Sequence, residues 1–286
     1  MIKHSRFENK RIMKKKLKIA VTGGNGFIGT KILNELSKNK IRNISLQRKK
    51  SSYVKENIVF YDLLKFNTNK MKFLSNVDVV IHTAALVHKG PMSRYKYLKS
   101  NYKATKFLVD QCIKYKVKKF IYLSTMSVYG LTSSKSKINI NFPVNPITNY
   151  AKSKLLSENY LLSKKKKIKI CILRLPSVYG INSPGNFGIL EKLALKNIPL
   201  PFLGIKNKRS LISVDLVAKI VTKISLHLEK YLGLHLLCEK KAFSTEFIIN
   251  KIRKKNKINS KLFFFPKILA KLIFLIFGNI EYYKRI

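Results

Sequence analysis

The chain has 286 residues, 46% of them hydrophobic, which is enough for one sizeable core or for a large domain with a smaller lobe. Its 59 Lys and Arg against 13 Asp and Glu give a formal net charge of +46. The lysines are spread along the whole chain without a nucleic-acid-binding motif, so we expect no specific nucleic-acid partner; RNA binding is an alternative on charge alone. The three cysteines lack disulfide or metal-ligand spacing, so no metal site is expected and a reduced, cytoplasmic setting fits best.

The N-terminal residues are basic and contain no apolar segment. Residues 1–15 read MIKHSRFENKRIMKK, which lacks the apolar core of a signal peptide. We expect these residues to form a disordered extension, with Met13 as an alternative start. This also favours a cytoplasmic location.

An apolar run at 17–23 breaks directly into glycines at Gly23, Gly26 and Gly29, and a helix-like stretch covers 27–39. The run is short and rich in β-branched residues, which is typical of a buried strand. One glycine permits the tight turn, a second lets the backbone approach a pyrophosphate, and a third lets the helix pack on the strand. The start of the helix offers unpaired N–H groups to phosphates. The sequence therefore predicts a dinucleotide-binding turn, with an ordinary glycine-rich turn as the alternative.

Strand-like apolar runs alternate with amphipathic stretches over the first 180 residues. This alternation predicts a parallel sheet with crossover helices, whose strands are apolar throughout because both faces are buried. We therefore expect an α/β fold with a Rossmann-type doubly wound parallel sheet over 16–180 and a smaller C-terminal lobe over 181–286. The further expected strands are 43–47, 57–61, 77–84, 118–125 and 167–175, and the further expected helices are 94–116 and 148–164.

The expected lobe contains a helix-like stretch at 215–230, a strand-like stretch at 232–238 and the most hydrophobic segment at 262–280. A proline and two lysines interrupt this last segment, and its uninterrupted part is too short to span a membrane. We favour a lobe helix that packs on the protein's own core. The alternative is an interfacial helix that makes peripheral membrane contact.

A tyrosine and a lysine, Tyr150 and Lys154, stand four residues apart at the start of the expected helix 148–164. This spacing projects both side chains from one helix face. A free tyrosine has a pKa of about 10, and a nearby ammonium favours the phenolate, so Tyr150 suits proton transfer at a hydroxyl or carbonyl group of a substrate. The strand 118–125 ends in hydroxyl residues at the sheet edge where α/β folds bind ligands, so Thr125 is expected to hydrogen-bond the substrate oxygen.

The motif TGGNGFIG, the Tyr–Lys pair and the motif HTAA at 82–85 resemble the extended short-chain dehydrogenase/reductase family, whose members epimerise, dehydrate or reduce nucleotide sugars. The resemblance covers about residues 17–225. The stretch 186–221 looks like the substrate-binding lobe of the nucleotide-sugar branch. The last part of the chain is shorter than is usual in this family, which implies a truncated lobe.

The resemblance also implies roles for single residues. It makes Thr125, Tyr150 and Lys154 the catalytic residues, and it places the substrate on Thr125 and its diphosphate on Asn186 and Arg209. The cofactor-binding residues that it implies are Gly23, Asn25, Gly26, Phe27, Ile28, Gly29, Asp62, Leu63, Ala84, Ala85, Asn101, Ser124, Tyr150, Lys154 and Pro176.

Two positions bear on the reaction. Dehydratases of this family carry an acid pair after the threonine, where this chain has Met126 and Ser127, so a dehydratase is not expected. The second strand ends at Gln47 and Arg48 without a carboxylate for a ribose hydroxyl. We therefore expect Arg48 to bind a 2′-phosphate, which favours NADP(H) as cofactor over the alternative, NAD(H).

The expected activity is hydride transfer at C4 of a UDP-sugar, UDP-glucose or a UDP-N-acetylhexosamine, for cell-surface polysaccharide synthesis. A 4-epimerase and a 4-ketoreductase are equally favoured. Family analogy implies a homodimer through the helices 94–116 and 148–164. The alternative to an enzyme is a non-catalytic dinucleotide-sensing or basic surface-binding protein on the same fold.

Overall fold

The computed structural model describes most of the chain. The expected N-terminal extension 1–15 and residues 267–280 of the hydrophobic segment lie outside the described residues, as does the side chain of Asn186. The described stretches are 17–48, 57–87, 92–131 and 137–266.

Parallel strands form the central sheet. The strands are β1 (Lys18–Thr22), β2 (Arg42–Gln47), β3 (Ile58–Phe60), β4 (Val79–His82), β5 (Lys119–Thr125), β6 (Lys169–Leu175), β7 (Ser177–Tyr179), β8 (Leu211–Ser213) and β9 (Gly233–Leu236). Seven of them pair in the order β3-β2-β1-β4-β5-β6-β9, and every pair is parallel. The strand order reverses between β1 and β4, which opens a crevice at the C-terminal ends of these strands. The expected doubly wound Rossmann-type sheet is thus confirmed.

Helices cover both faces of this sheet, and two more helices form part of the smaller lobe. In chain order the helices are α1 (Phe27–Lys38), α2 (Arg94–Tyr97), α3 (Ala104–Lys114), α4 (Asn149–Ser163), α5 (Gly185–Leu195), α6 (Val214–Leu226) and α7 (Thr245–Lys255). One face packs against α1 and α6, and the other packs against α3 and α4. On β1, Ile19 and Val21 contribute to the first core and Ala20 to the second. Burial on both sides explains why the strands read as unbroken apolar runs.

The helix expected at 94–116 is interrupted by a wider turn. Between α2 and α3, residues Leu98–Lys103 form a π-helical turn. Asn101 lies in this turn, and its carbonyl oxygen accepts hydrogen bonds from the hydroxyls of Thr105 at 2.6 Å and Ser157 at 3.4 Å. Side chains that enter the backbone hydrogen-bond ladder in this way produce such bulges.

In the smaller lobe the helices α5 and α7 pack around Ala194, Leu200 and Ile249. The strands β7 and β8 form a separate two-stranded sheet, and their residues Val178 and Ile212 pack in the first core. Residues 214–236 of the segment expected as the lobe pack against the large sheet. Helix α6 packs on α1, and β9 pairs with β6, so residues 214–236 complete the large sheet. The physical reason is the apolar face of α6, which is buried in the same core as α1. The boundary near residue 180 remains a prediction.

Candidate active site

The glycine turn joins β1 to α1 at the C-terminal edge of the sheet. The N–H groups of Gly23 and Gly24 donate to the carbonyl oxygen of Leu46 at 3.0 and 3.3 Å, and that of Gly26 donates to Gly23 at 2.9 Å. A Cβ atom on Gly29 would overlap the Gly23 carbonyl group, so the helix packs on the turn at a distance that only glycine permits. The first N–H groups of a helix lack intrahelical acceptors, so this turn and the residues Asn25–Ile28 fit a dinucleotide pyrophosphate.

The neighbouring strand ends carry the other residues expected to bind the cofactor. The Asp62 carboxylate accepts the N–H of Leu64 at 3.0 Å and so caps the short 3₁₀ turn that begins at Leu63. The N–H of Ala84 donates to the Thr22 hydroxyl at 3.2 Å, which places the HTAA backbone against Gly23. Ala85 follows it and is partly exposed, as is Pro176, which separates β6 from β7. These residues lie around the crevice, and their roles toward a cofactor stay predictions.

Asn101 is engaged within the protein. Its amide oxygen accepts the N–H of Leu86 at 2.7 Å. Its amide nitrogen donates to the carbonyl oxygen of Leu86 at 3.1 Å and to the hydroxyl of Ser153 at 2.9 Å. Only 1% of Asn101 is exposed. In this structure it therefore holds the segment after HTAA against α4.

The candidate catalytic hydroxyls meet where β5 ends and α4 begins. Thr148 caps α4 by accepting the N–H of Ala151 at 3.1 Å, which sets Tyr150 in the first turn of the helix. Thr125 lies close enough to Tyr150 to lower the pKa of its hydroxyl, and the ring of Tyr97 meets that of Tyr150 edge-on at 6.3 Å. The Thr125 hydroxyl itself donates to the hydroxyl of Ser127 at 3.1 Å. Both Thr125 and Tyr150 are partly exposed, so a substrate oxygen can reach this pair.

The lysine of the pair is held differently from the expectation. The ammonium nitrogen of Lys154 donates to the carbonyl oxygen of Leu123 at 2.6 Å and lies 4.0 Å from the ring centre of Tyr122. Burial lowers the pKa of Lys154 to about 7, against an opposing effect of Glu158. Burial also raises the pKa of Tyr150 to about 12, and the Thr125 hydrogen bond opposes this. The described contacts of the Lys154 ammonium are thus with β5, and its role toward the Tyr150 phenolate stays a prediction.

The similarity to known proteins covers the large sheet and the elements that carry the candidate site. Residues 19–232 match the model described as the NAD dependent epimerase/dehydratase family. The chain belongs to this family. The resemblance to nucleotide-sugar enzymes of the extended short-chain dehydrogenase/reductase type is thereby confirmed.

A UDP-glucose 4-epimerase of Vibrio cholerae is 34% identical to this family member over 221 residues, 72% of this chain and 66% of that protein. The chain thus spans just under two thirds of that relative's length. A UDP-glucuronic acid 4-epimerase from Bacillus cereus, solved in complex with NAD, is 26% identical with a TM-score of 0.73, over 87% of this chain and 86% of that chain. The UDP-Glc/GlcNAc 4-epimerase from Campylobacter jejuni shares the fold at 23% identity with a TM-score of 0.74, over 87% of each chain.

The lobe residues expected to hold the substrate diphosphate are only partly described. Arg209 is partly buried, exchanges two backbone hydrogen bonds with Phe243 at 2.9 and 3.0 Å, and has a pKa that burial lowers. The side chain of Asn186 is outside the described residues, although its backbone lies in the first turn of α5. Gly180, in the loop after β7, lies against the ring of Phe27 at the start of α1. This loop therefore lies next to the glycine turn.

The sequence reasoning missed a buried polar network behind Thr125. Ser124 donates to Glu158 on α4, which in turn is paired with Arg174 on β6 at 2.7 Å. A signal was available in the sequence, since Glu158 follows Lys154 by four residues, as Lys154 follows Tyr150. The three therefore share one face of α4.

Proposed function

We propose that this chain is a UDP-sugar 4-epimerase that works with a bound nicotinamide dinucleotide. The observation that carries the proposal is that Thr125, at the end of β5, and Tyr150, in the first turn of α4, come together and are both partly exposed at the sheet edge that also carries the glycine turn. The epimerases of Vibrio cholerae and Bacillus cereus named above support it. Proton transfer at a sugar hydroxyl is the chemistry that such a pair can perform.

Epimerisation removes a hydride from C4 and the proton from its hydroxyl, and then returns the hydride to the opposite face of C4 and a proton to the oxygen. Tyr150 takes the proton of the C4 hydroxyl and later returns it to the ketone oxygen. Thr125 hydrogen-bonds the same oxygen and orients it toward Tyr150. Lys154 holds α4 to β5 through Leu123 and adds positive charge beside the reacting oxygen when it is protonated. The bound dinucleotide supplies the hydride acceptor and donor, so the overall reaction consumes no oxidant.

Incubation of the pure protein with UDP-glucose and with UDP-N-acetylglucosamine tests the proposal, with chromatographic separation of the C4 epimers. We expect conversion toward equilibrium by the wild type and a loss of about a hundredfold or more in kcat for Tyr150→Phe. Tyr95→Phe, which changes an exposed tyrosine on α2, serves as the control and keeps the wild-type rate. Wild-type protein that converts no UDP-sugar, or Tyr150→Phe with unchanged kcat, contradicts the proposal. Either result favours the non-catalytic, dinucleotide-sensing alternative.

The end of β2 favours a second candidate, a 4-ketoreductase that consumes NADPH. The side chain of Gln47 is 2% exposed and donates to the Ser45 hydroxyl at 3.1 Å, while Arg48 is exposed directly after it. Among the described residues that end β2, none carries a carboxylate that would repel a 2′-phosphate. A UDP-4-keto sugar offered with NADPH distinguishes the two, because a reductase oxidises one NADPH per sugar and an epimerase does not accumulate NADP⁺.

We propose NADP(H) as the preferred cofactor on the same observation at Arg48, although the Bacillus cereus enzyme is bound to NAD. Dissociation constants for NADH and NADPH measured by fluorescence test this. Arg48→Ala is expected to weaken NADPH binding about tenfold and to leave NADH binding unchanged. Arg42→Ala, at the opposite end of β2, is the control. Tighter binding of NADH than of NADPH by the wild type contradicts the preference.

Two assemblies also remain proposals. The interrupted helix Arg94–Lys114 and α4 pack together, and Leu156 on α4 is exposed, which supports a homodimer through these helices. Sedimentation of the wild type and of Leu156→Lys tests it, with a monomeric wild type as the contradicting result.

Among the described helices, none is long and apolar enough to cross a bilayer. Peripheral membrane contact through 262–280 is tested by co-sedimentation with anionic vesicles.

A further inference from the structure

One carboxylate joins the ends of the two strands that lie beside the candidate catalytic pair. Glu158 on α4 is 1% exposed. One of its oxygens accepts the hydroxyl proton of Ser124. Arg174 donates to both of its oxygens, through Nε at 3.2 and 3.1 Å and through Nη2 at 2.7 Å. Since Ser124 and Arg174 are directly opposite on β5 and β6, Glu158 clamps both strands at the edge that carries Thr125.

The clamp extends toward the segment that leads into α4. Nη1 of Arg174 donates to the Tyr129 hydroxyl at 2.8 Å, and the guanidinium carbon lies 4.8 Å from the centre of that ring. The Tyr129 hydroxyl donates in turn to the carbonyl oxygen of Asn139 at 3.1 Å. The network thus connects β5, β6 and the approach to Tyr150.

Stability alone does not explain this buried ion pair. Removing Glu158 and Arg174 from water carries a desolvation penalty that their attraction roughly balances, and apolar residues of similar volume are often equally stable at such sites. An apolar pair cannot, however, accept the single hydroxyl proton of Ser124. Because that proton is committed to Glu158, the Ser124 oxygen offers only lone pairs to any other partner.

We propose that Glu158 is a positioning residue of the active site, which fixes the Ser124 hydroxyl and the end of β5 and thereby the place of Thr125 beside Tyr150. The inference rests on the proposed function, because it takes Thr125 and Tyr150 as the reacting pair. The charge of Glu158 acts on the same site, since it raises the pKa of Lys154 against the larger lowering by burial.

The opposite ends of the same strands provide a matched control. Glu229 accepts hydrogen bonds from Lys119 at 3.2 Å and from Lys169 at 3.3 Å, and these lysines are opposite each other on β5 and β6. Glu229 therefore bridges the two strands as Glu158 does. It lies at their N-terminal ends, away from the crevice, and its side chain is 52% exposed.

Three variants separate positioning from a purely structural role. Glu158→Met/Arg174→Met removes both charges and the acceptor for Ser124, whereas Glu158→Gln/Arg174→Met removes the charges and keeps an acceptor. Glu229→Gln is the control. The measurements are the thermal midpoint, the NADH dissociation constant, and kcat and KM for UDP-glucose.

We expect Glu158→Met/Arg174→Met to unfold within about 5 °C of the wild type and to keep KM within about twofold. Its kcat falls about tenfold or more, and its NADH affinity falls about fivefold, the effect of one misplaced hydrogen bond. The Gln-containing variant recovers both to within about threefold of the wild type, and Glu229→Gln changes neither.

Equal kcat and equal NADH affinity in the two double variants would overturn the proposal, as would matching losses in Glu229→Gln. Failure of the Met-containing double variant to fold also overturns it, because the clamp is then structural. If the wild type turns over no UDP-sugar, the proposed function fails. In that event, the difference in NADH affinity between the Met-containing and the Gln-containing double variants still tests whether Glu158 positions the end of β5.

Discussion

The ammonium nitrogen of Lys154 lies 2.6 Å from the carbonyl oxygen of Leu123 and so ties the first turns of α4 to β5. Lys154 is only 2% exposed. Burial therefore makes the charged form of Lys154 costly, while Tyr150, one turn earlier, stays open to the crevice. As a result, the stability of the folded protein depends on the protonation of this one lysine.

The first prediction concerns Lys154→Met and pH. The pKa of Lys154 is about 7 in the folded chain and about 10.5 when unfolded, so the unfolded state binds more protons between these values. Burial of the charged form destabilises the wild type fully below pH 7, and this penalty disappears as the pH rises toward 10.5. The free energy of unfolding of the wild type should therefore rise relative to that of Lys154→Met over this range, by at most about 5 kcal/mol.

Denaturant titrations of both proteins at pH 7 and pH 10 measure this difference. Lys152→Met, an exposed lysine on the same helix, is the control and should show no such trend. A difference between wild type and Lys154→Met that stays constant with pH contradicts the prediction.

The second prediction concerns the Thr125 hydroxyl. Thr125→Val keeps the shape but removes the hydroxyl beside Tyr150, which bonds both the hydroxyl and the N–H of Ser127. We expect kcat for UDP-glucose to fall about a hundredfold with KM nearly unchanged, and the protein to lose about 1 kcal/mol of stability. Thr125→Ser restores the hydroxyl and should keep kcat within about threefold of the wild type. Equal kcat in the Val and Ser variants would exclude a role for this hydroxyl.

The third prediction concerns the close packing of α1 on the glycine turn. An alanine at Gly29 has no room beside the Gly23 carbonyl group, whereas a Cβ at Gly26 would lie 3.1 Å from the same oxygen. Gly29→Ala should destabilise the protein by about 2 kcal/mol and weaken NADH binding, while Gly26→Ala should cost less than about 1 kcal/mol. Thermal unfolding and NADH titration measure both effects. Similar stabilities for the two variants would show that the turn adapts.

The fourth prediction concerns a buried arginine in the lobe. Arg253 on α7 is 1% exposed and donates to the carbonyl oxygens of Ala194 at 3.1 Å, Lys196 at 3.2 Å and Ile198 at 2.7 Å. It therefore satisfies carbonyl groups at the end of α5. Arg253→Met should lower the free energy of unfolding by about 2 kcal/mol, whereas the exposed neighbour change Lys254→Met should stay within about 0.5 kcal/mol. Equal denaturation midpoints for the two variants would contradict this role.

The elements with strong local signals could be predicted from the sequence. The glycine turn follows from an apolar run that ends in Gly23, and the meeting of Thr125 with Tyr150 follows from the rule that parallel strands present ligands at their C-terminal ends. Both depend on chain direction and short-range patterns. The sequence therefore indicated the doubly wound sheet and the place of the candidate site.

Features that depend on tertiary packing could not be predicted in the same way. The pairing of β9 with β6 depends on where α6 finds an apolar surface, and hydrophobic spacing does not identify that surface. The contact of Lys154 with Leu123 depends on the depth at which α4 packs against β5, and so does the burial that raises the pKa of Tyr150. Glu158 on α4 pairs with Arg174 on β6. The four-residue spacing along α4 indicates the position of Glu158, but it does not indicate which residue on another element pairs with it.

The wide turn at Leu98–Lys103 means that the residues before and after it follow different helical registers. If the same residues wound as a regular α-helix, Tyr97 and the rest of α2 would be rotated by about 100° relative to α3. Tyr97 would then swing away from the ring of Tyr150. The width of a single helical turn, with no change in polarity, thus decides whether this wall of the crevice forms.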